Sequence, residues 1–356
     1  MQFLHTADWQ IGMKAAATGG AAAAVRAARL EAAARVVAIS ADFLLVAGDT
    51  FEDNAVDRAL VQQTGEILSR FRGPVYLLPG NHDPLQPGSV WEHPVWKQYG
   101  NLHVVREPQA YAVPGGTLIA APLCETHSRR DPTLKLVDIP RPEGPVVAMS
   151  HGTVEGIDAA TEHHPISRDA CARAGAQYLA LGHWHSTSLY PDSAGVVRMA
   201  YCGTQETTKF GERDSGNALL VRLADGAPAI EQIHTGVLSW VTLEEEVKAV
   251  GDMARLRDRV AALPERALVR LEVRGLLHAA EADLLRQLTD MRARFLHFAM
   301  DANGLRPVAE DGWEELLPAG AVRLAARQLR ERASNGDAVA AEALLELQTL
   351  AAQVGA

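Results

Sequence analysis

Residues 75–83 read Val-Tyr-Leu-Leu-Pro-Gly-Asn-His-Asp, and the change of character in the middle of this stretch decides the fold. An unbroken apolar run of this length fits a strand covered on both faces, as strands of a parallel sheet are. Pro79 and Gly80 stop the run, and an amide, an imidazole and a carboxylate follow at once. Four other stretches repeat the grammar: residues 1–5 ahead of Thr6-Ala7-Asp8, 43–49 ending at Asp49, 146–151 ending at His151, and 178–185 ending at His185. Each predicts a buried strand with polar residues clustered just past its carboxyl end.

Between these strands the pattern is helical. An alanine-rich helix is expected over roughly 21–39, with Glu31 and Arg35 spaced as an i,i+4 pair, and a second over roughly 55–71. Strand–helix–strand alternation predicts an α/β core with its chemistry gathered at one sheet edge. Residues 188–236 carry short strands and turns without a long helix, which predicts a second, antiparallel sheet packed on the first. Past Gly236, strands at 240–247, 267–275 and 295–299 alternate with helices at roughly 250–262 and 279–293, a βαβαβ pattern long enough for a small domain. A connector at 307–318 and helices at 322–333 and 338–353 complete the chain. The expected domains are 1–237, 238–306 and 307–356.

Composition narrows the classes. The 356 residues are 47% apolar, enough for sizeable cores and incompatible with global disorder. Alanine occupies 60 positions and arginine outnumbers lysine 29 to 5, a bias that carries no functional message. The formal charge is −10, shared as −6 over residues 1–237 and −4 over the rest, so neither half grips nucleic acid through a global positive field. Contact with nucleic acid must then run through local patches, bound metal or a partner. Cys124, Cys171 and Cys202 are odd in number and lack metal-type spacing, which predicts a reduced interior rather than a disulfide scaffold. No apolar run reaches the ~20 residues of a membrane-spanning helix, and His5, Thr6 and Asp8 interrupt any leader-like N-terminus. The expectation is a cytoplasmic protein without membrane contact.

The polar clusters carry the chemistry: Asp8; Gly48-Asp49; Gly80-Asn81-His82-Asp83; Ser150-His151-Gly152; Gly182-His183-Trp184-His185. Carboxylates, an amide and imidazoles suit manganese, iron or zinc, and no thiolate joins them. Alternate residues on an extended chain face the same way, so His183 and His185 are expected to reach one centre together. Asp49 is the candidate bridge in a two-cation site, a standard solution for phosphoester hydrolysis. An aspartate after a strand is more often a helix cap, and an asparagine beside glycine more often serves a turn. Five such clusters at strand ends, all in donor types that fit one binuclear centre, outweigh that reading.

The set resembles the calcineurin-like metallophosphoesterase superfamily, whose pattern is Asp-x-His, Gly-Asp, Gly-Asn-His-Asp, a separate His and Gly-His-x-His. Within it the chain resembles SbcD-type DNA-repair nucleases, the bacterial counterparts of the MRN-complex nuclease. The stretches that point there are HTADWQIG at 5–12, LVAGDTFEDN at 45–54, NLHVV at 101–105 and AYCGTQETTKFGERDSG at 200–216. The resemblance implies an α/β fold: a two-sheet sandwich flanked by helices, then a small βαβαβ capping domain and C-terminal helices. It implies two divalent metals, manganese in relatives, the first held by Asp8, Asp49 and His185 and the second by Asp49, Asn81, His151 and His183. His82 would act beside them on the leaving oxygen or the transition-state charge, with Asp83 orienting it. It further implies DNA exonuclease and endonuclease activity in repair, an SMC-like (SbcC-type) ATPase docked C-terminal to the core, and a homodimer. Two positions depart from the pattern. Gln10 stands where a histidine ligand of the first metal is expected, and Glu52 where eukaryotic and archaeal relatives carry histidine. The competing readings are a hydrolase of small phosphoesters or phosphodiesters on the same fold, and a catalytically weakened subunit that binds DNA ends or an ATPase.

Overall fold

Both faces of the apolar runs are covered, and that is why they read as runs. In the computed structural model, Leu4, Leu44 and Leu77 pack against Val36, Val61 and Leu68 of two helices, Ala22–Ala38 and Arg58–Leu68. Their neighbours Phe3, Phe43 and Leu45 turn the other way and meet Leu118, Val147, Met149 and Tyr178 of a second sheet. The outer face of that sheet, with Ile119, Ala148 and Leu179, is covered by Leu136, Ala170 and Cys171. Alternate residues thus serve different cores, and no polar alternation remains to be read.

The structure describes residues 1–156, 163–224, 227–307 and 313–354 and divides into two units, Met1–Ser239 and Trp240–Ala356. In the first unit one sheet has the order Pro228–His234, Asn217–Leu223, Gln2–Thr6, Phe43–Val46, Val75–Leu77, Leu102–Val104. Its last four strands are parallel and its first two antiparallel. The other sheet has the order Ser188–Pro191, Val197–Tyr201, Tyr178–Gly182, Val146–His151, Gly116–Ala120, Gln109–Val113, with four parallel strands between antiparallel edges. This is the α/β two-sheet architecture with flanking helices. Residues 188–236, however, form no sheet of their own. Their first two strands extend one sheet; of their last two, Asn217–Leu223 pairs with Gln2–Thr6 and Pro228–His234 pairs with Asn217–Leu223, extending the other. The helix expected from residue 55 starts at Arg58, because Asp57 caps it by accepting the Ala59 amide at 2.8 Å.

The second unit is a parallel sheet of Trp240–Val247, Leu268–Leu277 and His297–Pro307. Helices Asp252–Ala261 and Ala282–Asp290 cover it through Met253, Leu256, Val260 and Leu288. Helices Ala321–Ser334 and Ala338–Val354 pack through Ala326, Leu344 and Leu347, leaving Val322, Leu324, Val339 and Leu350 exposed. Residues 308–312 of the expected connector lie outside the described residues. Among the described residues no helix is long and apolar enough to cross a membrane.

Candidate metal centre

In each sheet of the first unit the parallel strands end at one edge, and the two edges meet where the polar clusters begin. His151 closes the strand Val146–His151 and is fully buried. Its Nδ1 lies 2.8 Å from the Ala47 carbonyl, which fixes that nitrogen as the donor and turns Nε2 inward. There Nε2 is 2.8 Å from Asn81 Oδ1 and 3.5 Å from Asp49 Oδ1. His183 Nδ1 reaches the same Asn81 oxygen at 2.9 Å. Asp49, His151 and His183 each place a ligand atom within 4.8 Å of the others. Close approach is built into the glycines. A Cβ on Gly48 (φ +97°) would lie 2.1 Å from His151 Nδ1, and one on Gly80 2.1 Å from Asp49 Oδ1. Of the eight non-glycine residues with positive φ among the described residues, four are Asp8, Gln10, Asp49 and His183. Strain concentrated on candidate ligands marks a functional site, since only a strongly determined surrounding holds it.

Asp8 and Gln10 approach Asp49 from the neighbouring strand end. Both Asp8 oxygens accept the His183 amide at 3.0 Å. Gln10 donates Nε2 to Asp49 Oδ2 at 3.1 Å, and its Oε1 is buried without a hydrogen-bond partner. His185 is not folded into this cluster through Nδ1. That nitrogen faces Glu212 Oε1 at 2.9 Å and Thr208 Oγ1 at 3.2 Å. The alternation argument for His183 and His185 therefore fails locally: the strand ends at Gly182 and His183 has φ 110°, so the two rings do not project from one extended segment.

Charge follows this geometry. Burial alone would lower the His151 pKa, but the Asp49 carboxylate outweighs it and raises the imidazole to about 9. Burial would raise Asp49, yet the charge and hydrogen bond of His151 hold it well below the usual carboxylate range. Asp8 is pushed up to about 6 by burial, with His151 and His185 opposing. Burial, reinforced by His151, lowers His183 to about 3, so its ring is neutral and carries a lone pair.

His82 is exposed; its amide donates to Asp49 Oδ1 at 2.9 Å and its Nδ1 lies 2.9 Å from the Glu52 carbonyl. Asp83 does not orient it. The Asp83 carboxylate is fully buried and accepts the amides of Gly80 at 2.7 Å and Phe51 at 2.9 Å, tying two loops together. Glu52, the second departure from the family pattern, thus supplies through its backbone the contact expected of Asp83. Sequence reading also missed Arg29. Its guanidinium is buried and donates to the Trp9 carbonyl at 2.9 Å, the Glu206 carbonyl at 3.0 Å and Thr204 Oγ1 at 3.2 Å, clamping the loop that carries Asp8 and Gln10. The signal was present: Arg29 stands on the stripe of Val25, Ala28, Ala32 and Val36, where a charge must have buried partners. Glu212 falls within segment 200–216, which the resemblance singles out, but its contact with His185 has no local signal, since the two lie 27 positions apart.

The donor chemistry fits divalent cations. A carboxylate oxygen, an amide oxygen and two imidazole nitrogens face one point, and a buried amide oxygen stands unpartnered beside them. A model of the calcineurin-like phosphoesterase family matches residues 1–187. The chain belongs to this family. A calcineurin-like phosphoesterase hydrolyses phosphoesters and typically relies on divalent metals, which agrees with the buried donor set. The chain is 26% identical over 232 residues to YhaO of Bacillus subtilis (strain 168), described as an uncharacterized metallophosphoesterase, a match covering 60% of this chain and 53% of YhaO. It thus spans about half the length of that curated relative. A solved structure, TT1561 of Thermus thermophilus, aligns at a TM-score of 0.43 with 13% identity, over 66% of this chain and 98% of the other.

Proposed function

We propose that this calcineurin-like phosphoesterase is a manganese-dependent DNA phosphodiesterase that processes DNA ends. The observation that carries the reading is where segment 200–216 folds. This stretch resembles SbcD-type nucleases most closely, and it lies against the centre, with Glu212 on His185 and the Glu206 carbonyl on the Arg29 clamp. Asp49, Asn81, His151 and His183 would hold one cation, and Asp8, Asp49 and His185, with the Gln10 amide oxygen, the other. Cations held there would polarise a phosphoryl oxygen and lower the pKa of bound water. His82 supplies the proton. Its Nδ1 donates to the Glu52 carbonyl, so the ring gives a proton to the leaving oxygen from Nε2 only as the imidazolium and is left as the neutral Nδ1–H tautomer that the carbonyl holds. Asp83 keeps the Gly80 and Phe51 loops in register beneath His82.

End-labelled duplex and single-stranded DNA, compared with bis(p-nitrophenyl) phosphate in manganese, test the reading. Efficient DNA cleavage that EDTA abolishes is expected. Rapid turnover of the small ester with intact DNA assigns the protein to small phosphodiesters instead.

A further inference from the structure

One wall of the centre opens into a cavity of about 400 Å³ lined by His183, Trp184, His185, Lys209, Phe210 and Glu212. Its size lies within the ~300–1,000 Å³ typical of small-ligand sites. The two histidines belong to the centre, whereas Trp184, Lys209 and Phe210 have no part in holding cations. Trp184 is 37% exposed between two buried or half-buried neighbours in sequence, and Phe210 is half-buried across the cavity. A single exposed aromatic is ordinary on a protein surface. This one faces a turn that is rigidly held. Glu212 accepts the Thr208 amide at 2.7 Å and also bonds the Thr208 hydroxyl, while its other contact is His185. The turn 208–212 is thereby closed on itself and anchored to a candidate ligand, presenting Lys209 and Phe210 at the rim.

We propose that this cavity is the subsite for the nucleobase next to the scissile phosphate, with the base stacked against Trp184 and Lys209 meeting the adjoining phosphate. The proposal rests on the DNA reading above and deepens it: the preferred substrate is an end or frayed strand whose base is out of the helical stack. Flat aromatic chemistry on one wall and a cation on the rim match a nucleotide, and every base has a π-face to offer. The rigidity of the turn means that little order has to be gained on binding.

Calorimetric titration of the manganese-loaded full chain with 2′-deoxyadenosine 5′-monophosphate and with 2-deoxyribose 5-phosphate tests this. The nucleotide is expected to bind about tenfold more tightly, the low end for one base on one aromatic ring. Trp184→Ala should bring the nucleotide down to the affinity of the sugar phosphate, and Trp184→Phe should keep most of the difference. Equal affinities in the unaltered protein overturn the proposal, as does a Trp184→Ala variant that weakens both ligands alike. The two readings fail separately. DNA cleavage without nucleotide preference removes the subsite and leaves the nuclease; nucleotide preference without DNA cleavage keeps an aromatic subsite and removes the nuclease.

Discussion

On one side of Asp49, Asn81 Oδ1 lies 2.8 Å from His151 and 2.9 Å from His183. On the other, Gln10 donates its amide to the carboxylate and His185 turns Nδ1 to Glu212. The first side is assembled from groups that converge directly, each ring pinned by a strand end or a backbone carbonyl. The second is assembled by intermediaries: Arg29 grips the Asp8–Gln10 loop, and Glu212 sets one histidine. Donors that converge without intermediaries are preorganised, and a cation there displaces little protein structure. The two sides should therefore respond differently to the same perturbations.

The largest effect is expected at Asp49, which belongs to both sides. Asp49→Asn removes the charge that balances His151 and faces the Gln10 amide with a second donor. Activity should fall by ~1,000-fold, the loss of several kcal/mol of charge stabilisation, and metal content should drop on both sides. His82→Asn should also lose ~100- to 10,000-fold in turnover, while metal content measured by plasma emission stays at the unaltered value. Equal metal loss in the two variants would break the assignment of His82 to proton transfer.

The same comparison explains what the sequence made legible. Clusters past the strand ends were readable because double-faced burial produces apolar runs, and the polar residues begin where burial stops. The donors on the converging side sit on those runs, so their meeting follows from strand direction alone. Strand pairing over 188–236 was not readable, because Asn217–Leu223 chooses Gln2–Thr6 as its partner, with Gln2 opposite Arg222. Nothing local specifies a pairing across that separation. The roles of Glu212 and the Glu52 carbonyl were hidden for different reasons, the first because its partner His185 is distant along the chain and the second because backbone groups carry no residue identity. Asp83 shows the opposite error: adjacency to His82 suggested a contact that its burial and two backbone amides exclude.

A smaller effect concerns pH, and His151 on the converging side carries most of it. On the other side burial would lower His185, but its hydrogen bond with Glu212 outweighs this and raises it, which adds to the same trend. In the metal-free protein the His151 pKa, about 9, lies above the ordinary 6.5, through the proximity of Asp49 against the opposing effect of burial. A raised imidazole pKa contributes stability that is complete below 6.5 and lost as pH rises through 9. The depressed Asp49 contributes stability above the ordinary carboxylate value of 3.8 that is lost on acidification. Melting temperature of the metal-free protein should therefore fall from pH 6.5 to 9. Saturating manganese should flatten the decline, because a cation takes the ring in its deprotonated form. His151→Gln should remove most of the decline and leave the smaller part due to His185; an undiminished decline in that variant would place the main titrating group elsewhere.

The smallest and most discriminating effect is expected at Gln10. A glutamine amide offers a donor nitrogen and an acceptor oxygen, and here the nitrogen donates to Asp49 Oδ2 at 3.1 Å while the acceptor Oε1 is buried and unpartnered. A cation on this side can use that oxygen, but it meets a neutral amide where an imidazole stands in relatives. The converging side keeps all its expected donors. Occupancy should therefore be unequal at limiting manganese, with the Asn81–His151–His183 side filled first and activity still rising well beyond one equivalent. Gln10→His should move the manganese dependence of activity to about tenfold lower concentration, the low end of what a change around a metal ligand produces. It should leave the tighter class of sites unchanged in a titration followed by electron paramagnetic resonance. The substitution also removes the donor to Asp49 Oδ2, so a structural role for Gln10 predicts the reverse: weaker binding in both classes and a lower melting temperature. Two equal classes of manganese in the unaltered protein would show that the amide oxygen serves as well as an imidazole, and the asymmetry between the two sides would then lie in the scaffold and not in the affinity.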